Sequence, residues 1–240
     1  MSSYNATGIV IGRTNIGEAD RIVRFLTPEH GKLSAVAKGV RKIKSRSAGH
    51  LELFGEVNLM LTTGRSLDII TSARLSWYPH ALAADYTKLG LAYAAATMVD
   101  RLTQEREAQP ELYAHLAEML RAIDEGAVGA LIELWFKLRL LQLTGFRPEL
   151  EHCLVCGQHD ADTAYAFDAP RGGIVCLGCG GAMARAMSRD IIKLWRLLCD
   201  YPYATVSHIG GGEALAADSV SLCDEFYEHH IGRAFRPGVT

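Results

Sequence analysis

The chain has 240 residues, 49% hydrophobic and 22% charged, a composition that builds a core and excludes a disordered tail. Its formal net charge is −2, yet residues 1–50 hold nine Lys or Arg against three Asp or Glu, a net of +6 that leaves −8 for the rest. A cationic end on an acidic body fits an anionic partner at that end. No apolar run reaches the roughly 18 residues of a membrane-spanning helix, and MSSYNATGIVIGR lacks a basic-then-apolar leader, so the expected address is cytoplasmic with no membrane partner. Thiols stay reduced there, and the six cysteines are read as metal ligands or core residues before disulfides.

The first eighty residues read as strands. Short β-rich runs at residues 8 to 13, 21 to 26, 32 to 38, 56 to 61 and 67 to 75 are separated by turn chemistry at Asn15–Gly17, Pro28–Gly31 and Thr62–Gly64. Leu33, Ala35 and Ala37 share one face, as do Val57, Leu59 and Leu61, the period-2 pattern of half-buried strands. Five such strands suit a small closed barrel such as an OB-fold, and an SH3-like barrel or a small open sheet would read the same way. Between Glu29 and Glu52 there is no acidic residue, and the densest stretch is KGVRKIKSR, residues 38 to 46. Cations this crowded repel by up to about 1 kcal/mol per close pair in water. The run is either a solvated loop or a grip for an anion of evenly spaced charges such as a nucleic-acid backbone.

From residue 81 the period becomes helical. Helices are expected over residues 86 to 104, from Pro110 onward, over 128 to 141 until Gly145 and Pro148 stop it, over 182 to 200 and over 219 to 231, with Gly210–Gly212 a loop. Met183, Met187, Ile191, Leu194, Trp195 and Leu198 are placed on one apolar face of the fourth helix.

Cys153-x2-Cys156, nineteen residues, then Cys176-x2-Cys179 is the spacing of a four-cysteine zinc site. Each pair forms a knuckle, and Arg171-Gly172-Gly173 turns a hairpin between them. Four thiolates leave no open coordination position, so one structural Zn2+ is expected rather than a Lewis acid. Cys199 and Cys223 lie in helical stripes and are read as buried hydrophobes.

Catalytic text is absent. His50-Leu51-Glu52 has the H-x-E of zinc deaminases without the proline that precedes their cysteine pair. Gly31-Lys32 lacks the flanks of a P-loop, there is no G-x-S-x-G, H-E-x-x-H or Rossmann glycine pattern, and His229-His230 read as exposed helix residues. The chain is expected not to be an enzyme.

The stretch GIVIGRTNIGEADRIVRFLTPEHGKLSAVAKGVRKIKSRSAGHLELF resembles the opening of the RecO family of bacterial recombination mediators and DNA-repair proteins. LLQLTGFRPELEHCLVCG with GGIVCLGC, and the closing FYEHHIGRAFRP, are similar to later segments of the same family, although Arg233–Pro237 only partly matches its short basic end motif. The resemblance implies an α+β chain: an N-terminal five-stranded OB-fold barrel, then a helical domain with an inserted four-cysteine zinc module. The expected boundaries are 1–80 for the barrel, 81–150 and 182–240 for the helical domain, and 151–181 for the zinc module. It implies binding of single- and double-stranded DNA, annealing of complementary strands, and loading of RecA recombinase with RecR, at nucleoid-associated sites. The acidic C-terminal tail of single-stranded-DNA-binding protein is a further implied partner.

Stacking aromatics are scarce, since Phe25 and Phe54 read as core and Trp77 and Tyr78 as closing the domain. DNA contact is therefore assigned to phosphates, through Lys38, Arg41, Lys42, Lys44 and Arg46, with Arg13, Arg21, Arg24 and Lys32 as a flank. Lys137, Arg139 and Arg147 beside the Leu138/Leu141 stripe are the candidates for the tail peptide. The alternatives are a zinc-dependent nucleic-acid-processing enzyme, or a zinc-ribbon transcription factor that shares charge and metal but not the N-terminal text.

Overall fold

The structure is a computed structural model that describes residues 2–43, 45, 47–159 and 164–232. The chain divides into two compact units, one reaching Gly126 and the other beginning at Ala127.

The first unit opens with strands β1 (Ser3–Ile16), β2 (Asp20–Thr27), β3 (Gly31–Ala37), β4 (Glu56–Thr62) and β5 (Asp68–Trp77). They close into a barrel in the order β1-β2-β3-β5-β4, the OB-fold arrangement. Strand β1 serves two neighbours because it is long: its first half pairs with β4 and its second with β2, the register shifting between Val10 and Gly12. The alternation read from the sequence decides what faces inward. Leu33, Ala35, Val57, Leu59 and Leu61 fill the barrel with Val10, Val23, Phe25 and Leu51. Phe25 and Phe54 are both buried.

The barrel's weak place is between β3 and β5, which run parallel and share only two residue pairs, Ala35 with Asp68 and Val36 with Ile69. A strap from the helical part covers it. Helices α1 (His80–Ala83), α2 (Tyr86–Leu102) and α3 (Pro110–Asp124) follow the barrel, and the link between α2 and α3 lies along β3. The Arg106 N–H donates to the Lys32 carbonyl at 2.9 Å, while Ser34 Oγ donates to Glu105 Oε1 at 2.6 Å. The Arg106 guanidinium then reaches across to β5, 2.6 Å from Asp68 Oδ2. Asp68 is buried and also accepts from the Tyr4 hydroxyl and, at 3.3 Å, from the Gly64 N–H. Arg106 has φ 63°, a left-handed backbone costly for a non-glycine residue, which the two-sided anchoring holds. Gly31 is required beneath the strap: a Cβ there would lie 1.8 Å from the Glu107 carbonyl oxygen. Caps fix the helices. Asp85 accepts from the Thr87 and Lys88 N–H groups to start α2, and Asp124 accepts from Ala81 and Leu82 in α1. The Arg121 guanidinium of α3 sits 5.5 Å over the Trp77 ring, closing the barrel's last strand against the helices.

The second unit contains α4 (Ala130–Leu143), strands β6 (Tyr165–Asp168), β7 (Gly173–Cys176) and β8 (Arg185–Met187), and helices α5 (Arg189–Asp200), α6 (Tyr203–Val206) and α7 (Gly212–His230). Its core is α4 packed on α5 and α7, with Trp135, Trp195 and Leu138 fully buried. The Trp195 indole N–H donates to Ser219 Oγ at 3.0 Å and the Tyr227 hydroxyl to the Lys137 carbonyl at 2.9 Å. Glu213 of α7 supplies the cap that Gly129 cannot, accepting from the Ala130 and Leu131 N–H groups.

Two helix limits differ from the sequence expectation. The fourth expected helix starts at Arg189, not residue 182, because Ser188 caps it and residues 185–187 instead pair with the free edge of β6. Met183 consequently lies exposed instead of on the apolar face. The last helix begins at Gly212, so the third glycine of the run is helical and buried rather than loop.

Candidate nucleic-acid interface and metal centre

The basic run follows β3 as a loop rooted on the β1–β2 turn. Gly39, at φ 65°, turns the chain, and its N–H donates to Asp20 Oδ1 at 2.7 Å. The Arg41 N–H donates to the Ala19 carbonyl at 2.9 Å and its guanidinium to the Gly17 carbonyl at 3.1 Å. Beyond this root Lys38, Arg41 and Lys42 are exposed. Arg21 joins them from β2: burial lowers its pKa from the usual value, and the positive fields of Arg13 and Arg41 push the same way. Burial is the larger cause, and the Glu52 carboxylate opposes the shift. Lys44 and Arg46 lie outside the described residues.

The flanking cations are used differently. Arg13 reaches Glu52 Oε2 at 2.6 Å. Arg24 and Lys32 both approach the Asp100 carboxylate at the end of α2, at 3.2 and 3.4 Å, and Lys32 also donates to the Asp100 carbonyl at 2.6 Å. These three bind the barrel to its own loops and helices. The His50-Leu51-Glu52 tripeptide is similarly occupied, since His50 Nδ1 accepts from the Leu75 N–H while Glu52 holds Arg13.

In the second unit, Cys153, Cys156, Cys176 and Cys179 converge with their sulfurs all within 4.8 Å of one another. The Cys156 and Cys176 sulfurs are 3.8 Å apart. A tetrahedron with metal–sulfur bonds of about 2.3 Å separates its sulfurs by about 3.8 Å, so the quartet fits one tetrahedral ion. Each knuckle is closed by backbone: the Gly157 N–H donates to the Cys153 carbonyl and the Cys179 and Gly180 N–H groups to the Cys176 carbonyl, all at 2.9 Å. Burial raises the Cys153 thiol, but N–H groups of Cys156, Cys176 and Val155 outweigh it and bring it down to about 6. Cys179 is pushed up to about 12 by its hydrogen bonds to Cys176 and Cys156. A cation among the four sulfurs would hold them as thiolates. Cys199 and Cys223 are fully buried in the helical core, with burial raising both thiols.

Among the residues assigned to a peptide, Lys137 is buried, 5% exposed at its side chain, between Glu133 at 2.5 Å and Asp224 at 2.6 Å. It joins α4 to α7 and offers no surface. Arg139 donates to the Cys199 carbonyl at 3.0 Å and Arg147 pairs with Asp200 at 2.7 Å. A pocket of about 270 Å³ that the sequence pattern did not single out lies nearby on α5, where Arg189, Lys193 and Arg196 meet Tyr165, Ile174 and Ile192. Its signal in the sequence was the Arg/Lys spacing along one side of α5, opposite the buried Ile191, Leu194 and Leu198.

This is an OB-barrel protein with a cationic loop, whose helical unit gathers four cysteines at distances that suit one metal ion. Residues 1–77 match the family description "Recombination protein O N terminal" and residues 83–237 match "Recombination protein O C terminal". The DNA repair protein RecO of a Roseiflexus species is 36% identical over 232 residues, covering 96% of this chain and 82% of its own length. The RecO of Bifidobacterium adolescentis is 31% identical over 240 residues, covering 98% of each, and that of Desulfitobacterium hafniense 30% over 243 residues, covering 98% and 88%. The chain belongs to the RecO family of DNA repair proteins. Among the described residues, no helix is long and apolar enough to cross a membrane.

Proposed function

We propose that this protein grips DNA strands by their phosphates at the cationic end of the barrel and anneals complementary strands, acting as a recombination mediator rather than a catalyst. The observation that carries the reading is the exposed set Lys38, Arg41 and Lys42 on a loop anchored at its root, next to Arg21. Phosphate contact is blind to sequence and to strandedness. It lowers the repulsion between two strands while leaving their base edges free to pair. The buried Phe25 and Phe54 support this over stacking recognition. Lys44 and Arg46 extend the same run in the sequence, and Arg13, Arg24 and Lys32 are proposed as a flank that contributes field more than contact.

Annealing and binding of single strands are the test. Replacing Lys38, Arg41 and Lys42 together with Ala should slow annealing and lessen the slope of log K against log salt by about 0.7 per lost contact on single strands. Unchanged slope and annealing rate would reduce the run to a solvated loop.

The metal is proposed as one structural Zn2+, held by the four cysteines with no position left for substrate. Its chemistry is to neutralise the thiolates and lock the hairpin of β6 and β7. RecR, RecA through RecR, and the tail of single-stranded-DNA-binding protein are proposed partners on the strength of family membership. For the acidic tail the α5 pocket is proposed over the stripe at Lys137, because Arg189 and Lys193 lie beside Ile174 and Ile192 there, although Glu151, paired with Arg196, shares the lining.

A further inference from the structure

The cationic loop carries an apolar side chain that its own fold does not use. Ile43, next to Lys42, is fully exposed, at 105% of the reference for an isolated residue. A loop built only for solubility has no use for a fully exposed β-branched apolar side chain. The root of the loop is firm, through Gly39 on Asp20, Arg41 on Gly17 and Ala19, and Lys42 on the Gly39 carbonyl at 3.1 Å. Ser45 N–H donates back to the Lys42 carbonyl at 2.9 Å, just beyond the exposed Ile43. A second apolar side chain, Ile16, is 38% exposed at the end of β1, beside the Gly17 to which Arg41 is tied. Aromatic residues that would stack on bases are absent from this loop, and Phe25 is in the core.

From this geometry we infer that Ile43 is a wedge against the bases of a single DNA strand whose phosphates are held by Lys38, Arg41 and Lys42. The inference rests on the phosphate grip proposed above. Charge complementarity chooses the occupant: exposed cations on Ile43's own loop draw a polyanion, and the apolar groups such a polymer offers between its phosphates are base faces. Apolar side chains inserted between bases unstack them. An unstacked strand held by its backbone presents its pairing edges outward, which adds strand preparation to the screening of charge.

The experiment uses the full chain and a single strand with 2-aminopurine at internal positions, whose fluorescence rises when the base unstacks. Wild-type protein should raise it on binding. Ile43→Ala should lose that rise and weaken binding by about fivefold, with the salt slope unchanged because no phosphate contact is lost. Ile43→Phe should keep both the affinity and the unstacking. Ile43→Ala with wild-type affinity and fluorescence would overturn the wedge alone, leaving the grip intact. A wild-type chain without salt-dependent affinity for strands would overturn grip and wedge together. Ile43 contributes nothing to the core, so neither variant should change thermal stability.

Discussion

The cationic loop of the barrel and the cysteine knuckles of the second unit are opposite solutions to crowding like groups. The knuckles crowd four potential negative charges and aim them at one another, with sulfurs all within 4.8 Å. Their neutraliser must sit inside. The loop crowds positive charges and leaves Lys38, Arg41 and Lys42 exposed, with the Arg41 guanidinium resting on the Gly17 carbonyl. Their neutraliser must come from outside. Density of chemistry in the sequence is similar in both places; the sulfurs face one another in one, and the cations stand exposed in the other. Arg24 and Lys32 make the contrast within the barrel itself, because Asp100 neutralises them internally.

Cys153→Ser or Cys176→Ser should abolish metal retention and lower the melting temperature by roughly 10 °C or more, since metal-binding energy is folding energy. Metal analysis with calorimetry checks this, and a variant that melts normally yet loses DNA would show that the knuckles face outward after all. Asp68→Asn comes next, at about 2 kcal/mol, because it weakens a buried acceptor shared by Tyr4, Arg106 and Gly64. Burial alone would raise the Asp68 carboxyl, but the Tyr4, Arg106 and Gly64 hydrogen bonds and the Arg106 charge hold it below the usual carboxylate value. The folded carboxyl therefore binds its proton less tightly than the unfolded one. Its contribution is complete above the ordinary carboxylate range and fades as pH falls toward the folded value. Denaturant titrations should show the gap between wild type and Asp68→Asn narrowing in acid. The smallest effect belongs to the internal cations: Arg24→Ala should cost about 0.5 kcal/mol while leaving the salt slope of DNA binding where it was. A slope that drops as far as for Arg41→Ala would move Arg24 to the outward group.

The barrel was legible because burial repeats every second residue, as at Leu33, Ala35, Ala37 and at Val57, Leu59, Leu61. The clustering of the four cysteines was legible because both pairs are local and the gap between them holds one hairpin. What pairs across the chain was not. Nothing near Lys32 in sequence announces Asp100, 68 residues on, and nothing near Lys137 announces Asp224. Lys137 reads as a surface cation beside a stripe, but two carboxylates make its burial tolerable. Strand β8 was missed because Arg185-Ala186-Met187 has no pattern of its own and is a strand only by pairing with Tyr165–Phe167. The α5 pocket was missed for the same reason: Tyr165, Ile174 and Arg196 meet only in space.

The strap at Arg106 bears on how this protein can be cut. Severing the chain after Trp77 to isolate the barrel would strip the backbone partner from Lys32 and the guanidinium from Asp68 at one stroke. The fragment would expose half of β3 as an open edge, and an open edge recruits another strand. Self-association of the excised barrel, relieved by extending it to Gly126, is the behaviour to expect. The independent piece of this molecule is the barrel together with the helices that fasten it.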